Sequence, residues 1–92
     1  NVRYWRDKRG HELDFVLVPS GKLPTVIECK WSANDFDATN LRSFRMDYPR
    51  GRNYVVARDL KRPFDRSYAD LRVEFVSLNA LIEKVASKSS GS

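Results

Sequence analysis

The chain opens on short runs in which apolar and polar residues alternate, the period of a half-buried strand. Residues 2–7 and 11–18 are predicted strands, with Lys8-Arg9-Gly10 as the turn between them. Pro19-Ser20-Gly21-Lys22 is a second turn, punctuated by Pro and Gly. Residues 23–31, rich in Val and Ile at their centre, complete an antiparallel meander. The period then changes. Ala38, Leu41, Phe44 and Tyr48 recur at three and four residues, which predicts a helix over 34–48. Asn34 or Asp35 can cap it, and Pro49 and Gly51 stop it. Arg42 and Arg45 are placed off the apolar stripe, on the solvent face.

Residues 53–57 form a short apolar strand, and 59–70, polar and holding Pro63, read as a loop. Residues 72–76 are a fifth strand. Ser77 caps a last helix with Leu78, Leu81, Ile82 and Val85 along one side, and 87–92 read as a flexible tail. A strand, a helix and a strand in succession form a crossover, so the strands it joins are expected to be parallel. The fold class that follows is α/β (α+β). It has a mixed sheet of four to five strands, a meander then a β-α-β crossover, flanked by helices. The domain is expected to span residues 1–86.

Composition narrows this picture. Apolar residues make up 41% of the 92 residues, enough for one small folded domain. No apolar run approaches the roughly 18 residues of a membrane span, and no signal peptide is visible. Cys29, the single cysteine, excludes an internal disulfide and fits a reducing cytoplasm. The first residue is Asn1 rather than Met, in what reads as a strand, as expected of a piece of a longer protein. Net charge is +5, carried mostly by arginine, which suits contact with phosphates.

Two strings depart from the strand pattern: Glu12-Leu13-Asp14-Phe15 and Ile27-Glu28-Cys29-Lys30. Each puts carboxylates into a predicted strand, which is costly unless a cation meets them. A turn centred on Gly21 makes paired residue numbers add to 42. Asp14 is then opposite Glu28, and Glu12 opposite Lys30. The other face would hold Leu13, Phe15 and Leu17 against Ile27 and Cys29, with Cys29 as a buried small hydrophobe. Asp14 and Glu28 so placed repel each other, and a hard divalent cation would remove the repulsion. Mg²⁺ needs little from the protein: here two carboxylates and the backbone carbonyl of Cys29. Lys30 could orient water or steady transition-state charge. The same groups also suit an ion-pair cluster that satisfies itself, and spacing does not separate the two readings.

His11 has no second His for a zinc pair and reads as a turn or strand-end residue. Trp5 and Trp31 are expected at the core edge rather than as base-stacking surfaces.

Asp followed about a dozen residues later by Glu-x-Lys resembles the PD-(D/E)xK nuclease superfamily, the restriction-endonuclease-like fold. More narrowly, Tyr4-Trp5-Arg6, Gly10-His11-Glu12-Leu13-Asp14-Phe15-Val16 and Ile27-Glu28-Cys29-Lys30-Trp31-Ser32 resemble the nuclease-like C-terminal domain of prokaryotic AAA-type ATPases. The resemblance implies Asp14 and Glu28 as ligands of Mg²⁺ or Mn²⁺, Lys30 as the catalytic lysine and Glu12 as a helper. It implies phosphodiester hydrolysis on DNA or RNA, DNA being favoured, beside an ATPase module. Arg6, Arg42 and Arg45 are the candidate nucleic-acid contacts. Leu13 stands where the superfamily usually has Pro, and the superfamily's first helix has no counterpart here. A non-catalytic module that docks nucleic acid, an ATPase module or a second copy of the chain is the alternative function.

Overall fold

The computed structural model describes residues 2–6, 8–10, 12–18 and 21–90, the side chains of Glu12 and of residues 87–90 excepted. His11, Pro19 and Ser20 lie outside the described residues, and so does the predicted helper side chain of Glu12.

The predicted meander forms, as β1 (Val2–Arg6), β2 (Glu12–Leu17) and β3 (Thr25–Lys30), paired antiparallel in turn. The helical segment is shorter than predicted because two side chains interrupt it. The Ser32 hydroxyl accepts from the Asn34 amide and starts a 3₁₀ turn at Ala33–Asp35. The Asp37 carboxylate then accepts the Thr39 amide at 2.7 Å, and α1 runs only over Thr39–Asp47. Such local bonds to the backbone compete with a continuous helix.

β4 (Asn53–Ala57) lies parallel to β3, as the crossover requires. It is buried along its whole length, as a central strand covered on both faces should be. The predicted loop over 59–70 instead contains β5 (Phe64–Tyr68), which pairs antiparallel with β6 (Leu71–Val76). β5 is a sheet-edge strand with its middle residues exposed, so its apolar signal is confined to its ends. There Phe64 stacks on Phe75 with ring centroids 4.6 Å apart. The described residues thus form a six-stranded mixed sheet ordered β1-β2-β3-β4-β6-β5, with β4 and β6 also parallel. α2 (Leu78–Ser90) is capped by the Ser77 hydroxyl, which accepts from the Ala80 amide. Its backbone continues past Ala86, where the sequence pattern ends the helix.

One helix covers each face. Leu41 and Phe44 of α1, with Phe36, pack on Leu13, Val16, Val26, Val55, Val73 and Phe75. Leu81 of α2 packs on Ile27, Tyr54, Val56 and Val76. The predicted apolar layer of Leu13, Phe15, Leu17, Ile27 and Cys29 does not form. Leu13 lies in the α1-side core with Val16, Phe15 is exposed, and Cys29 is exposed. A β-bulge causes this. β1 pairs Arg3 with Val16 but Trp5 with Leu13, so Asp14 and Phe15 together face Tyr4. The extra residue puts Leu13 and Val16 on one face. No helix among the described residues is long and apolar enough to cross a membrane.

Candidate metal site

The bulge in β2 builds the site. The β2–β3 pairing runs through Leu17↔Thr25, Val16↔Val26 and Phe15↔Ile27, the predicted register. Its next step would oppose Asp14 to Glu28, and there side chains take over from the backbone ladder. The Asp14 amide donates to Glu28 Oε1 at 3.3 Å, and the Cys29 amide donates to Asp14 Oδ2 at 2.8 Å. The peptide groups of Val26 and Lys30 bond toward β4, so those of Cys29, of opposite parity, are directed toward β2. The Cys29 carbonyl therefore belongs to the same seam as its amide.

Glu28 is only 5% exposed, and it shares its strand face with Val26 of the α1-side core. Asp14 is exposed. Burial first, and the Asp14 charge second, raise the Glu28 carboxyl above its usual range; the Asp14 amide and Lys30 pull it back in part. Partial burial, then the charges of Asp14 and Glu28, push the Cys29 thiol up. A thiol held protonated beside two carboxylates is a poor nucleophile.

Lys30 is half-exposed and acts on Glu28 through its charge. Among the described residues, the ion pairs are Arg52–Glu74, Arg72–Asp65 and Lys84–Glu74, away from this seam. Lys30 makes no direct ion pair with Asp14 or Glu28, so the two carboxylates are not neutralised within the described set. Each carboxylate also has one oxygen, Asp14 Oδ1 and Glu28 Oε2, with no hydrogen-bond partner among the described residues.

The donor set is small. Among the described residues no group of three or more His, Cys, Asp and Glu side chains gathers. Two carboxylate oxygens and the Cys29 carbonyl fit a hard cation that keeps most of its waters, and they do not fit zinc, which prefers nitrogen and sulfur.

A family match over residues 1–81, described as a domain of unknown function (DUF4143), takes in all six strands and the carboxylate seam. The chain belongs to the DUF4143 family. No curated protein and no solved structure matches it.

The three candidate arginines of this DUF4143 chain fall in different settings. Arg6, on β1, is exposed and donates to the Tyr4 hydroxyl at 3.1 Å. Arg42 is exposed on α1, beside a groove of about 460 Å³ also lined by Thr39, Met46, Pro49 and Leu71.

Arg45 is a correction: it is 4% exposed and cannot reach a phosphate. Its Nε donates to Asn53 Oδ1, and its two terminal nitrogens donate to the carbonyls of Tyr48, Arg50, Pro24 and Arg52. The guanidinium clasps the end of α1 to the approaches of β3 and β4. Burial pushes its pKa down to about 10, so it remains charged at neutral pH. Arg45 sits four residues after Leu41 and seven after Ala38, so helical spacing alone assigns it to the buried stripe. Gly51 (φ +135°) makes room for it: a Cβ there would lie 2.0 Å from the Pro24 carbonyl and 2.9 Å from both terminal nitrogens.

Sequence reasoning also missed Trp31 and Arg58. Trp31 is exposed rather than at the core edge, and the Arg58 guanidinium lies over its ring. No sequence spacing relates the two, because the parallel pairing of β3 and β4 brings them together.

Proposed function

We propose that this DUF4143 domain is a nuclease-like module of the PD-(D/E)xK type, hydrolysing phosphodiester bonds of DNA with Mg²⁺ or Mn²⁺. The observation that carries this reading is the buried Glu28 carboxylate set against Asp14, with one oxygen of each left over and no direct counter-cation among the described residues. Asp14 Oδ1, Glu28 Oε2 and the Cys29 carbonyl would hold the ion. When bound, the ion would supply charge neutralisation at the phosphate and acidity at a coordinated water.

The chain's own residues do the rest. The Cys29 amide fixes the Asp14 carboxylate, and the Asp14 amide fixes that of Glu28, so both donors are preorganised. The Lys30 ammonium sits one strand step past Cys29 and would counter charge that builds on the phosphate. Arg6 and Arg42 would contact the nucleic-acid backbone. A cytoplasmic setting, suggested by the single cysteine, belongs to the same proposal, as does an ATPase module in the same polypeptide.

A second reading, a nucleic-acid-binding or docking module without catalysis, is favoured by the lack of a third acidic side chain among the described residues at the seam. One substitution separates the two. Lys30→Ala should weaken duplex DNA binding by no more than a few-fold, as expected for the loss of one phosphate contact among several. It should abolish Mn²⁺-dependent cleavage. Cleavage at the parent rate in Lys30→Ala rejects the mechanism. Duplex binding with no cleavage by the parent protein in Mn²⁺ or Mg²⁺ puts the docking reading first.

A further inference from the structure

We propose that Trp31 and Arg58 form a stacking platform for an unpaired nucleotide of a single-stranded nucleic acid. The inference rests on the phosphodiester reading above and names its substrate as single-stranded at the site.

Trp31 follows Lys30, the last residue of β3, and Arg58 follows Ala57, the last residue of β4. These strands are parallel neighbours, and open α/β sheets gather ligands beyond the carboxyl ends of such strands. Trp31 is 72% exposed, whereas tryptophan is on average a highly buried residue. The Arg58 guanidinium stands 4.5 Å from the ring centroid. With one ring face against Arg58, that exposure leaves the other face open to solvent.

The backbone beneath this pair is fixed. The Arg58 amide donates to the Lys30 carbonyl at 3.3 Å, and the Asp59 amide to the Trp31 carbonyl at 3.2 Å. The ladder between β3 and β4 therefore continues past both strands. The Asp59 carboxylate then accepts the Ser32 hydroxyl at 2.8 Å and the Ala33 amide at 3.2 Å, locking the turn after the tryptophan. The backbone that carries the indole is thus set before any ligand arrives, which lowers the ordering cost of binding.

The surroundings select the ligand. Charged and polar residues adjoin Trp31, Lys30 and Ser32 along the chain and Arg58 and Asp59 across the strand pairing, a setting that suits a charged ligand. A base offers a flat π-face whatever its identity, and the attached phosphate would meet the Arg58 guanidinium. In a duplex the bases are already stacked on one another, so the platform takes only an unpaired one.

Tryptophan fluorescence in EDTA, with a short oligothymidylate as probe, tests this. Trp5, the other indole, is half-buried and packs edge-on to Phe44. Quenching is expected in the parent protein and in Trp5→Phe. Trp31→Ala should lose the quenching and bind about ten-fold more weakly. Trp31→Phe should retain most of the affinity, and Arg58→Ala should weaken it. Parent affinity in Trp31→Ala overturns the proposal, as does equal quenching by a blunt duplex. Binding in EDTA needs neither metal nor hydrolysis. Hydrolysis that fails while Trp31 still governs oligonucleotide affinity overturns only the catalytic reading. A silent Trp31→Ala beside intact Lys30-dependent cleavage overturns only the platform.

Discussion

Asp14 and Glu28 hold each other across the β2–β3 seam: the Glu28 carboxylate accepts the amide of Asp14, and the Asp14 carboxylate accepts the amide next to Glu28, that of Cys29. Each acid is fixed by the strand of the other. The bonds orient both groups without neutralising them, and Glu28 is buried as well. Two carboxylates so held repel each other, and a bound cation would relieve that repulsion.

The pH dependence of stability follows from Glu28. Its folded carboxyl is raised above the ordinary value of 4.5, by burial and by Asp14. A raised carboxyl means that folding favours the protonated form. The contribution of Glu28 is therefore most favourable below pH 4.5 and is lost as pH rises through the folded value. Glu28→Gln, in EDTA, should be more stable than the parent at neutral pH, and the two should converge below about pH 4.5. Urea midpoints across pH check this. A variant less stable than the parent at neutral pH would mean that Glu28 is neutralised by a partner in the fold.

Arg45 should behave as a structural residue. Arg45→Met leaves four carbonyls and Asn53 Oδ1 without their donor in a buried site. The expected cost is about 3 kcal/mol or more. Arg45→Lys should recover little, because three hydrogens cannot serve five acceptors in a fork geometry. Gly51→Ala should destabilise through the same clasp, since its Cβ would collide with the Pro24 carbonyl. Denaturant midpoints at unchanged slope measure all three.

Duplex DNA affinity should fall steeply between low and physiological salt. Arg42→Ala should weaken binding and lower the magnitude of the salt slope by about one. Filter binding or fluorescence anisotropy over a salt series reads both. An unchanged slope in Arg42→Ala would remove the exposed face of α1 from the interface.

Strand alternation and turn residues were enough to read the meander, the β3–α1–β4 crossover and the register that sets Asp14 against Glu28. The bulge was not legible. It inserts a residue without changing the local pattern, and so it moved Leu13 to the opposite core and exposed Phe15. β5 was missed because an edge strand with Asp65, Arg66 and Ser67 exposed looks like a loop. Arg45 was misplaced because its charge outweighed its helical spacing, although a guanidinium with five acceptors can be buried. Trp31 and Arg58 meet only through strand pairing, which a linear pattern does not display.

The central claim is that Asp14 and Glu28 hold a divalent cation, and Mn²⁺ titration followed by amide NMR tests it most directly. Paramagnetic broadening should appear first at Asp14, Glu28, Cys29 and Lys30. In Asp14→Asn most of it should vanish, while stability without metal is unchanged or raised by the loss of repulsion. Broadening centred elsewhere, or undiminished around Glu28 in Asp14→Asn, would contradict the account.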